Sequence, residues 1–136
     1  MNFKIKNVGF DIHGCINANP TYFVGLAEFF HNINAKVHII TGVSWSKAIE
    51  AELLYYNNGI KWWDEFFSIT GYLLELNIPY CLDESNRCVF DSETWNKQKA
   101  EYCKRNFIDL HIDDTERYYK YFDTSITKFI LFKNSC

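Results

Sequence analysis

Ile5-Lys6-Asn7-Val8-Gly9-Phe10-Asp11-Ile12-His13-Gly14 is the stretch on which the fold turns. It is β-prone and apolar toward its end, and it stops at Asp11-Ile12-His13-Gly14, where polar side chains and a glycine replace the apolar pattern. The expected element is a strand over Ile5 to Asp11 that delivers a carboxylate at its carboxyl end. Downstream, Phe23, Leu26, Ala27, Phe30 and Ile33 recur at helical spacing, and Pro20 is tolerated in a first turn, so an amphipathic helix runs from Pro20 to Ile33. Val37-His38-Ile39-Ile40-Thr41 reads as a second strand closed by Gly42. Ser44 or Ser46 then caps a helix carrying Ala48, Ile49, Leu53 and Tyr56 on one face, and Asn57-Asn58-Gly59 ends it.

The same alternation continues. Phe66 to Ile69 is a third strand, Tyr72 to Leu76 a short helical segment, Ser92 to Arg105 a helix through Trp95, Lys99 and Cys103, and Ile108 to Ile112 a fourth strand running into Asp113-Asp114. A helical turn around Tyr118 to Phe122 precedes a last strand over Thr127 to Phe132, while Pro79 to Asp91 carries no readable pattern. Strands alternating with helices require crossovers, and crossovers imply a parallel sheet covered on both faces. The expectation is a doubly wound, Rossmann-like α/β domain with five parallel strands, one domain over residues 1–136 with no cap.

Composition narrows the function classes. At 48% hydrophobic, 23% charged and 18% aromatic residues, with 6 Gly and 2 Pro, the chain can fill a core and is not a disordered or low-complexity protein. A net charge of -3 gives no excess of Lys and Arg for coating nucleic acid, although a nucleotide or a nucleic-acid end stays open as a ligand. No apolar run reaches the roughly 18–20 residues of a membrane span, and Met1 to Lys6 leads to Asp11 instead of a signal-peptide apolar core. A cytoplasmic protein without a membrane partner is expected. The cysteines, Cys15, Cys81, Cys88, Cys103 and Cys136, form neither a disulfide framework nor a zinc-ligand spacing, so free thiols are expected.

In a doubly wound sheet, ligands bind outside the carboxyl ends of the strands. Asp11, Thr41, Asp113 and Asp114 all fall at such ends, so polar groups distant in sequence converge on one edge. In this setting Val8-Gly9-Phe10-Asp11-Ile12-His13-Gly14-Cys15-Ile16 resembles the first motif of the haloacid-dehalogenase-like hydrolase superfamily, and Val37 to Gly42 the second. Ile108 to Thr115 is similar to its fourth, and Lys97, or alternatively Lys99, is similar to the lysine of the third. The departure is His13, where the family carries a second aspartate.

The resemblance implies a magnesium-dependent phosphohydrolase acting on a phosphate monoester. Asp11 would be the nucleophile, forming an aspartyl-phosphate that splits one displacement into two. Thr41 and Gly42 would hold phosphoryl oxygens, and Lys97 would offset the negative charge. Mg2+ would be held by Asp11, Asp114, the backbone carbonyl of residue 13 and the nearby Asp113, because magnesium takes oxygen ligands. In the family the side chain at position 13 protonates the leaving group and then activates water. An imidazole with an unperturbed pKa of about 6.5 can do both, so His13 is the expected acid/base. Members of the family without caps have open sites that take larger phosphorylated substrates, or small ones where a neighbouring subunit covers the site.

Other readings compete. Strand-end aspartates also serve as turn and cap residues, and Asp113-Asp114-Thr115 can simply cap a helix. A receiver domain shares the fold class, but no Asp ends the strand at Phe66 to Ile69, where its phosphate-accepting Asp would stand. A two-metal nuclease could use Asp11, Asp113 and Asp114. A disabled, metal- or phosphate-binding interaction module is suggested by His13 and by the aromatic pair Trp62-Trp63. His31, His38 and His111 are assigned no role, and Cys15 is read as a small filler beside the site.

Overall fold

In the computed structural model, which describes residues 4–133, the first strand is the centre of the sheet. β1 (Asn7–Phe10) is flanked by β2 (Lys36–Thr41) and β6 (Leu110–Asp113), with β3 (Glu65–Ser68) and β7 (Lys128–Leu131) outside them. All four pairings are parallel, in the order β3-β2-β1-β6-β7. Parallel strands read as near-continuous apolar runs because both faces are covered, and Val8, Phe10, Val37, Ile39, Ile40 and Ile112 are accordingly buried. The chain winds outward from β1 to β3, then returns across the sheet to β6, so the winding reverses between β1 and β6.

Local chemistry sets the helices. α1 (Pro20–Asn32) has Pro20 in its first turn, and the Asn19 side chain accepts from the Tyr22 amide at 3.4 Å. It buries Phe23, Ala27 and Phe30 against β1 and β2. α2 (Lys47–Tyr55) is capped by Ser46, and α3 (Ile69–Glu75) by Ser68. Asn34, Asn58 and Asn77, just beyond α1, α2 and α3, take positive φ, the left-handed stop that asparagine tolerates best after glycine. α1 and α2 pack on one face of the sheet. α3, α5 (Gln98–Arg105) and the short 3-10 helix Glu116–Tyr121 cover the other, around Ile40, Ile69, Leu73, Cys103, Ile108 and Tyr118.

Three local expectations are corrected. Ile69 opens α3 instead of closing β3, because Ser68 turns its hydroxyl to the Gly71 amide at 2.9 Å and starts the helix there. The unreadable stretch after α3 is a hairpin, β4 (Cys81–Leu82) antiparallel to β5 (Cys88–Val89), too short to show alternation. The helix expected over Ser92 to Arg105 is two helices, α4 (Ser92–Asn96) and α5, which meet at Lys97. Trp62 and Trp63 are core residues, with the Trp62 indole N–H donating to the Leu53 carbonyl at 2.7 Å, so they offer no partner surface. Cys15, Cys81, Cys88 and Cys103 are free thiols; Cys136 lies outside the described residues.

Candidate functional site

Asp11 leaves β1 with its amide donating to the Ile112 carbonyl at 3.1 Å, which ties it to β6. The chain then coils through one tight turn, with the Ile16 amide on the Asp11 carbonyl at 3.3 Å and the Asn17 amide on the Ile12 carbonyl at 3.0 Å. Ile12, Cys15 and Ile16 anchor that turn in the core, and His13 is left exposed at the mouth of a cleft. Gly14 has φ 85°, and a Cβ there would lie 1.8 Å from Asp114 Oδ2. Glycine thus lets the loop after β1 and the carboxylate after β6 approach closely.

The two acidic residues after β6 have separate environments. Asp113 is buried and fully paired. Its Oδ2 meets Lys99 Nζ at 2.8 Å and His111 Nε2 at 2.9 Å, and its Oδ1 accepts from the Thr115 amide at 3.0 Å. Asp114 is exposed and accepts from the Thr115 hydroxyl at 3.0 Å. One donor atom each from Asp11, Cys15 and Asp114 lies within 4.8 Å of the others. Asp113 is not in that group, and its oxygens are bonded to Lys99, His111 and the Thr115 amide.

Lys99 supplies the buried cation. Its ammonium sits 3.0 Å from Asp11 Oδ1 and 2.8 Å from Asp113 Oδ2, over the Tyr118 ring at 4.8 Å, with the side chain only 2% exposed. Lys97, the expected lysine, does not reach the cleft and stands 4.0 Å from Glu101 on the outer surface. Past the break at residue 97, Gln98, Lys99 and Ala100 are buried, and the four-residue spacing of Lys99 and Cys103 is the sequence signal that puts Lys99 on the inner face of α5.

Thr41 is buried at the end of β2, and Gly42 lies under Trp95, where a Cβ would come within 2.8 Å of the indole ring. Both line the cleft of about 660 Å³ with Asp11, His13, Lys99 and Asp114. Arg87 of the hairpin, Trp95 and Tyr118 line it as well, and nothing local in the sequence marks them for the site. Trp95 and Tyr118 are held together, the indole N–H donating to the phenol oxygen at 3.3 Å.

Burial pushes the Asp11 carboxyl up to about 7; Lys99 opposes this, while Asp113 and Asp114 add to it. Burial also works to lower the Lys99 pKa, but Asp11 and Asp113 outweigh it and hold the ammonium above its ordinary value. For Asp113, burial acts upward, yet the hydrogen bond from His111 and the charge of Lys99 keep it well below the carboxylate range. Burial depresses the His111 pKa against the opposing pull of Asp113, whose Oδ2 lies 2.9 Å from Nε2, where a ring N–H donates. Burial, reinforced by Asp11, raises the Cys15 thiol, so Cys15 packs as a protonated filler.

The donor set suits a small hard cation. Asp11 and Asp114 converge, and the buried ammonium of Lys99 pairs with Asp11 and Asp113. No protein-family model, curated protein or solved structure matches the chain. No helix among the described residues is long and apolar enough to cross a membrane.

Proposed function

We propose that this chain is a cytoplasmic, magnesium-dependent phosphohydrolase of the haloacid-dehalogenase-like type, acting on a phosphate monoester through Asp11. The observation that carries the reading is Asp11, paired with buried Lys99 and facing Asp114 across Gly14, at the reversal of the sheet's winding. Asp11 and Asp114 would hold Mg2+, with the His13 carbonyl in the same turn, and the ion would neutralise substrate charge. Asp113 serves to fix Lys99, which disfavours the two-metal nuclease.

Asp11 attacks phosphorus, forming its O–P bond as the ester P–O bond breaks, and the His13 imidazolium passes a proton to the departing oxygen. Water then attacks the aspartyl-phosphate, giving a proton to His13 as the Asp11 O–P bond breaks and phosphate leaves. Thr41 and Gly42 lie at the end of β2, where they can hold phosphoryl oxygens. The alternative, a disabled protein that binds metal or phosphate, is favoured by one feature: His13 is exposed, and among the described residues no hydrogen bond orients its ring.

A panel of phosphate esters, assayed with and without magnesium, tests the reading. Asp11→Asn should abolish phosphate release while the chain still folds, as circular dichroism reads, and full activity in that variant refutes the nucleophile. His13→Ala should slow turnover by about 10²–10⁴. No wild-type turnover on any ester, with activity created by His13→Asp, would establish the disabled reading.

A further inference from the structure

The cleft is larger than a phosphate requires, and its fixed cations among the described residues are Lys99 and Arg87. Lys99 is consumed within the protein. It is enclosed between Asp11 and Asp113, with Tyr118 over its ammonium. Arg87 is different, because its side chain is 79% exposed and its terminal guanidinium nitrogens have no partner among the described residues.

Arg87 is nonetheless held in place. Asp83 Oδ2 accepts from Arg87 Nε at 3.0 Å, Asp83 Oδ1 accepts from the Arg87 amide at 2.9 Å, and the Asp83 amide donates to the Arg87 carbonyl at 2.9 Å. This clamp occupies one edge of the guanidinium and leaves the other edge for a ligand. A planar fork of N–H donors matches the paired oxygens of a carboxylate or phosphate. The wall of the same cleft includes apolar Val43, Leu74 and Trp95, which suit the body of a ligand more than its charged ends.

We infer that Arg87 determines substrate choice at this cleft by receiving a second anionic group, phosphate or carboxylate, of a phosphomonoester whose scissile phosphate faces Asp11. The inference rests on the phosphohydrolase reading of the same site. It makes the hairpin β4–β5 a recognition element instead of a passive connection.

Calorimetric titration of the whole chain, with magnesium in excess, tests it with three kinds of probe: orthophosphate, alkane-α,ω-bisphosphonates of graded chain length and ω-phosphonoalkanoates of graded chain length. At least one two-headed probe should bind about tenfold tighter than orthophosphate, the scale of one charged hydrogen bond, and the probe that gains identifies the second group. Arg87→Gln should remove the gain and leave orthophosphate affinity unchanged. Arg87→Glu should make the two-headed probes bind more weakly than orthophosphate. No gain in the wild type, an unchanged gain in either variant, or equal weakening of all three kinds of probe in Arg87→Gln overturns the inference. Turnover separates the two claims: Asp11-dependent hydrolysis without an Arg87 effect refutes only the role of Arg87. Arg87-dependent binding without hydrolysis refutes the hydrolase and keeps the recognition.

Discussion

Lys99 is the residue on which the site depends most. A fully buried ammonium between two carboxylates is tolerated because each charge answers another, and removing one partner strands the rest. Lys99→Met should therefore destabilise the protein by about 3–5 kcal/mol at neutral pH, read by denaturant titration. Lys97→Ala, on the surface and near Glu101 only, should change stability by no more than about 0.5 kcal/mol. Equal effects would mean that the buried network does not hold in solution. Asp113 is bound up with His111 and Lys99, so of the two adjacent aspartates Asp114 is the one open to the cleft.

Among the elements, the junctions matter more than the helices themselves. Asp64, just before β3, accepts from the Val37 amide at 2.7 Å and from His31 Nε2 at 2.8 Å, so one carboxylate ties the start of β3 to β2 and to the end of α1. Burial acts to raise its pKa, but the Val37 amide and His31 outweigh that and hold it below the ordinary value. A carboxyl that is more acidic folded than unfolded contributes stability above its unfolded pKa of about 4 and loses it as the pH falls through the folded value. The wild type should therefore lose melting temperature below about pH 4 more steeply than Asp64→Asn. Parallel acid limbs for the two proteins would refute the assignment.

At the scale of the whole molecule, the reversal of winding between β1 and β6 opens the crevice that gathers Asp11, Asp114 and Lys99 from three distant segments. An ion bound only by this assembled edge stabilises the folded state by mass action. If the proposed site binds magnesium, the ion at a hundredfold excess over Kd should add about 2.7 kcal/mol, a rise in Tm on the order of 10 °C for a chain of this size. Asp114→Ala should lose most of that shift in a thermal melt. A shift retained in full would place the metal elsewhere.

Legible in the sequence alone were the five strands of the parallel sheet, the helices between them and the strand-end positions of Asp11, Thr41, Asp113 and Asp114. Those properties are local: apolar runs, helical spacing, caps such as Ser46, and stops such as Asn58 are written in neighbouring residues. The hairpin was illegible because two-residue strands carry no period, and the break at Lys97 because the residues on both sides favour helix. Only the tertiary structure decided which lysine is buried, which of two adjacent aspartates faces the cleft, and that Arg87 and Trp95 stand at its wall. The packing of Ala100 and Cys103 against the sheet face around Ile40 and Ile108 sets the direction of Lys99. The roles of the charged residues follow from partners many residues away, and such pairings exist only once the sheet has brought its strand ends together.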